Sequence, residues 1–74
     1  MTVTVTIEFV DGSYATNEHP ALILATHDKL LQRGLKGRDL IDALLTDDWA
    51  APPRKVTLGF LSEGKPQEIA LFYT

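Results

Sequence analysis

His19, His27 and Asp28 are the residues on which a metal site or an acid–base pair would have to be built. An imidazole is a common metal ligand and the side chain that titrates nearest neutral pH. Two of them share one metal from a helix face when they stand three or four residues apart. His19 and His27 stand eight apart, and His27 falls on an apolar helical stripe. There the ordinary role of a histidine is to pack and to bond a backbone carbonyl. Hydroxyl chemistry fares no better, because no G-x-S-x-G nucleophile turn occurs and Ser13 and Ser62 sit among turn residues. Gly12, Gly34, Gly37, Gly59 and Gly64 spell neither phosphate-binding pattern, G-x-x-x-x-G-K or G-x-G-x-x-G. The chain has no cysteine, which removes disulfides, thiolate metal sites and thiol nucleophiles. No catalytic, metal-binding or cofactor-binding residues are therefore expected, and no cofactor.

Charge is the next place to look for a function. The formal net charge is −3, so whole-molecule attraction to nucleic acid or acidic lipid is not expected. The charges are nevertheless segregated. Residues 29–38 carry Lys29, Arg33, Lys36 and Arg38 with no acid, and the next ten carry Asp39, Asp42, Asp47 and Asp48 with no base. Gly34-x-x-Gly37 lies in the basic segment and resembles the short GXXG spacing that clamps nucleic-acid backbone in some RNA-binding domains. Four letters between two helices read more simply as an inter-helix turn. A helix-turn-helix reading also meets an obstacle, since its second helix would bring Asp39 and Asp42 to the phosphates and offers no Asn, Gln or Ser to the bases. The basic residues are better placed to pair across the two helices, Lys29 and Arg33 with Asp39 and Asp42. Asp47-Asp48 falls at the end of the second helix, where the macrodipole disfavours carboxylates, and is a candidate contact for a basic partner.

Such residues must be positioned by a small framework of 74 residues, 45% apolar and 23% charged, enough for one domain but for little cleft beside its core. Residues 2–9 alternate strictly, with Val3, Val5, Ile7 and Phe9 on one face and Thr2, Thr4, Thr6 and Glu8 on the other, as a half-buried strand does. Asp11-Gly12 predicts a two-residue hairpin turn that sets Phe9 opposite Tyr14 and places Tyr14 on the apolar face, with a short second strand ending near Thr16. Asn17 to Pro20 reads as a helix start and Gly34 as its stop, around Ile23, Leu24, His27, Leu30 and Leu31. A strand over 21–25 is the rival reading. Leu40, Ile41, Leu44 and Leu45 form the stripe of a second helix beginning at Gly37, and Pro52-Pro53 forbids its continuation. Residues 55–61 and 67–73 read as a hairpin across 62–66.

The fold expected is α+β, ordered ββααββ, a mostly antiparallel four-stranded sheet with both helices on one face. If every element reverses the chain, the third strand runs parallel to the first, and the sheet order 2-1-4-3 follows. The uncovered face then holds Thr2, Thr4, Thr6, Leu61, Ala70 and Phe72, with Leu61 and Phe72 adjacent and able to seed an interface. The longest apolar run, 21–25, is far too short to span a bilayer, the N-terminus lacks the basic region of a signal peptide, and a cytoplasmic location is expected. The function expected is a non-catalytic protein-binding module acting through Leu61, Phe72, Asp47 and Asp48, with another protein or a second copy as partner. Its small size and missing motifs are those of the adaptors and inhibitors used by phages and mobile elements, an analogy of class only. The alternative is nucleic-acid binding by Lys29, Arg33, Lys36 and Arg38.

Trp49 is expected to anchor the second helix before Pro52-Pro53 turns the chain. Trp49→Ala should cost about 3 kcal/mol in a denaturant titration; an unchanged midpoint would mean that the indole serves something other than the core.

Overall fold

The alternation of residues 2–9 becomes β1 (Thr2–Phe9), in which Val3, Val5 and Ile7 are buried. The computed structural model describes residues 1–46 and 51–74, so Asp47, Asp48 and Trp49 lie outside the described residues. After β1 come β2 (Tyr14–Pro20), α1 (Leu22–Gln32), α2 (Gly37–Leu45), β3 (Pro53–Ser62) and β4 (Lys65–Phe72). Val56 and Leu58 of β3 and Leu71 of β4 point the same way as the buried residues of β1. Ile23 of α1 and Leu40, Ile41 and Leu45 of α2 close over them in one core. The fold is α+β, as expected, and residues 21–25 enter a helix rather than a strand.

Four local expectations change. The first turn contains three residues, not two: Phe9 N–H donates to Ser13 O at 2.9 Å and Gly12 N–H to Phe9 O at 3.0 Å, with Gly12 at φ +88°. That pairs Glu8 with Tyr14. Because strand side chains alternate, the one-residue slip moves Tyr14 off the apolar face. It is exposed, and its hydroxyl donates to Glu8 at 3.0 Å. Asp11 explains the preference, since its carboxylate accepts from both the backbone N–H and the hydroxyl of Ser13. Those bonds hold its carboxyl below the usual range, the Ser13 hydroxyl contributing most. Next, β2 runs on to Pro20, which pairs with Thr2. Proline is tolerated there because its missing N–H would face away from β1. Helix α1 accordingly begins later, behind Ala21, with no side-chain cap.

The sheet order is β2-β1-β3-β4, not 2-1-4-3, and β3 runs antiparallel to β1. Pro66 supplies a physical reason. A central strand uses the N–H on both edges, and proline has none to give. Strand β3 carries Val56, Leu58 and Phe60 and suits the centre better. Thr2 pairs with Pro20 at one end of the sheet, while Phe9 pairs with Pro53 at the other. Between Pro20 and Pro53 the chain therefore moves, net, from one end of the sheet to the other, roughly 23 Å at a strand rise near 3.3 Å. The last turn closes on Ser62 and Lys65 through Glu63 and Gly64, both at positive φ (54° and 77°), the geometry of a tight hairpin.

Leu58 sits fully buried in a central strand. Leu58→Ala should cost about 2–5 kcal/mol, whereas Leu22→Ala, on an exposed helix position, should stay within about 0.5 kcal/mol. Chemical denaturation of the two variants checks the ranking, and equal costs would contradict this core.

Candidate functional site

The new sheet order separates the two apolar residues expected to touch. Leu61 pairs with Pro66 and Phe72 pairs with Lys55. Those rows stand six residues apart along β3, roughly 20 Å at a rise of 3.3 Å per residue. Both side chains remain exposed on the open face, at 58% and 56%. Between them the face is small and polar, with Thr57 opposite Ala70 and Gly59 opposite Glu68. On β1 it continues through Thr4, whose hydroxyl donates to Glu18 at 2.9 Å, and Glu8, which lies 3.8 Å from Arg54.

The other candidate residues scatter. Lys29 and Arg33 are exposed on and just beyond α1, and Lys36 precedes α2. Their expected pairing with Asp39 and Asp42 is not among the ion pairs formed between described residues. His27 is buried, 5% exposed, and its Nδ1 meets the Asp28 carboxylate at 3.2 Å rather than a backbone carbonyl. His19 lies in β2 opposite Val3, ahead of α1 but in a strand rather than at a helix start. Among the described residues, no group of three His, Asp or Glu stands close enough together to hold a metal ion.

What the structure does assemble lies where β4 meets the start of α2. The first N–H groups of a helix lack intrahelical partners. No side chain caps α2; instead, Arg38 N–H donates to the carbonyl oxygen of Thr74 at 3.2 Å. The approach requires glycine at Gly37, where φ is +58° and an added Cβ would stand 2.8 Å from that oxygen. One residue earlier, Tyr73 lies between two α2 side chains four apart. The guanidinium of Arg38 is 5.3 Å from the ring centroid, and the Tyr73 hydroxyl donates to Asp42 at 3.0 Å. Burial, then the bond to the Asp42 carboxylate, raises the Tyr73 phenol above its ordinary value. Spacing on a helix shows that Arg38 and Asp42 share a face, but only the fold brings Tyr73 to it.

Beside this clasp runs the outer edge of β4. Tyr73 N–H donates to Arg54 O, which fixes the phase of the β3–β4 ladder. Antiparallel pairs alternate in hydrogen bonding, so positions 73, 71, 69, 67 and 65 direct their backbone groups toward β3. Pro66, Glu68, Ala70 and Phe72 direct theirs outward. Pro66 has no N–H, and the Phe72 carbonyl already accepts from Thr74 N–H at 3.1 Å. The free groups are thus the N–H of Glu68, Ala70 and Phe72 and the carbonyls of Pro66, Glu68 and Ala70. A groove of about 590 Å³ opens along this edge, lined by Lys36, Gly37 and Asp39 on one side and Ala70, Leu71, Phe72 and Thr74 on the other. This edge was not anticipated from sequence, although Pro66 and Glu68 signal an outer strand. The chain matches no protein-family model, no curated protein and no solved structure.

A phenol held neutral in the folded state stabilises the fold fully below the unfolded value near 10, and that stability is lost as pH rises through the folded value. The melting temperature should fall above about pH 10. Tyr73→Phe should flatten that fall, leaving the part due to Tyr14, whose phenol is raised mainly by its bond to Glu8. Superimposable alkaline profiles for the two proteins would contradict the clasp.

Proposed function

We propose that the protein is a non-catalytic protein-binding module, an adaptor or inhibitor, that accepts an extended segment of another chain along β4. The observation that carries this reading is the outward ladder of Glu68, Ala70 and Phe72 opening onto the groove beside α2. A segment added to a sheet edge gains main-chain hydrogen bonds that are indifferent to sequence, while alternate side chains enter whatever flanks the edge. Here one set would enter the groove between Lys36 and Asp39, and the other would lie on the open face beside the exposed ring of Phe72. The edge is guarded as edges of folded proteins are, by Pro66 and Glu68, which disfavours indiscriminate strand addition and leaves a short stretch for a selected one. Leu61, Asp47 and Asp48 stand away from or outside this description, and Phe72 is the one expected contact residue it retains.

Ala70→Pro removes a central outward N–H at a position where proline is compatible with an edge strand. A displayed library of extended peptides should yield binders to the wild-type chain that lose at least about tenfold in affinity, 1.4 kcal/mol, against Ala70→Pro, with the circular dichroism of the variant unchanged. Binders indifferent to this substitution would overturn the reading. Binding that collapses steeply with salt would point instead to the basic residues of 29–38.

A further inference from the structure

The free groups of β4 form a self-complementary set. Consider a second copy of the chain whose β4 runs antiparallel beside the first, related by a twofold axis through the sheet. Only outward positions can pair, so the possible registers set Ala70 against Ala70, Glu68 against Ala70, or Glu68 against Glu68. With Ala70 on Ala70, Glu68 N–H faces the Phe72 carbonyl, which Thr74 already occupies. With Glu68 on Glu68, the Ala70 carbonyl faces Pro66, which has no N–H. With Glu68 on Ala70, Pro66 falls opposite Phe72. The missing donor then faces the occupied acceptor, and every remaining donor and acceptor from Pro66 to Phe72 finds a partner, six hydrogen bonds in all. We infer that the chain self-associates through β4 in this register, forming a continuous eight-stranded sheet.

Side chains on both faces agree with it. On the open face the row that ends in Leu61 and Pro66 continues into Phe72 and Lys55 of the second copy. Leu61 and Phe72, roughly 20 Å apart within one chain at 3.3 Å per residue, thereby become near neighbours across the axis, with Pro66 between them. On the helix face the residue on the axis is Ile69, only partly buried within one chain, opposite its own copy as a closely spaced pair. Leu71 meets Gln67, and Lys65 of the second copy arrives beside Tyr73, at the end of the groove that Asp39 lines. The other sheet edge offers no apolar match. With Thr16 on Thr16 and Tyr14 opposite Glu18, β2 could also form six main-chain bonds, but that register sets Thr16 on the axis and Ala15 opposite Asn17, so no row of apolar side chains joins across it. One interaction opposes the β4 pairing. The two Glu68 carboxylates stand diagonally across the axis, roughly 7–8 Å apart, on a face open to solvent where salt weakens their repulsion.

This inference rests on the β4 edge proposed above as the binding surface, with a second copy as its occupant. Sedimentation equilibrium on the chain, over about 10 µM to 1 mM, tests it. The wild type should dimerise with a dissociation constant of about 100 µM or tighter, Ala70→Pro should weaken it at least about tenfold, and Glu68→Gln should tighten it. A sheet-wide spectroscopic check keeps the folded state of each variant in view. A wild type that stays monomeric to 1 mM overturns the inference. If peptides still bind that monomer through β4, the edge reading survives and only the second copy fails; if they do not, both fail. A dimer unaffected by Ala70→Pro, or weakened by Glu68→Gln, also overturns it, because the contact then lies elsewhere or in another register.

Discussion

Antiparallel pairing of β3 with β1 is the constraint from which the rest of the molecule follows. It puts the most apolar alternation, Val56 and Leu58, beside Val3, Val5 and Ile7, so the centre of the sheet is also the centre of the core. It forces the β3–β4 hairpin outward, which makes β4 an edge and leaves its even-numbered positions with unpaired backbone groups. It also requires the chain between Pro20 and Pro53 to cross from one end of the sheet to the other, and α2 starts at the far end, near the end of β4 rather than at the Pro20 end. The open face and the free edge are then two aspects of one arrangement.

The junction of β4 with α2 keeps that edge in place. An outer strand has only one neighbour and frays more readily than a central one. Here Leu71 is buried in the core, Tyr73 is held between Arg38 and Asp42, and Thr74 supplies the oxygen that the start of α2 lacks. Gly37 makes the last contact geometrically possible. Each contact is modest by itself, since exposed hydrogen bonds and cation–ring pairs compete with water. Together they hold the edge flat beside its groove, a pre-ordering that spares a binding partner that entropy.

Much of this was legible in the sequence, and the limits have physical causes. Period-two alternation gave β1 and the core faces of β3 and β4, and the apolar stripes gave both helices, because burial on one side leaves that periodicity whatever the topology. The Asp11-Gly12 turn differs from its expected form by one residue, since the choice between two and three loop residues rests on the Asp11–Ser13 bonds that only a folded loop displays. Pro20, an acceptable first residue of a helix, is equally acceptable at the outer edge of a strand, so local propensity could not decide it. Strand order is a long-range property, and its one local clue, Pro66, falls outside a strand that begins at residue 67. Leu61 and Phe72 were correctly placed on the open face but wrongly made neighbours, for the same reason.

Amide hydrogen exchange at single-residue resolution, followed at two protein concentrations about a hundredfold apart, probes the edge most directly. In an isolated chain the amides of Glu68, Ala70 and Phe72 face solvent, as do those of Tyr14, Thr16 and Glu18 on the opposite edge. The three β4 amides should slow as concentration rises while the β2 amides stay fast. Exchange at Glu68, Ala70 and Phe72 that is fast and independent of concentration, or slowing confined to β2, would contradict it.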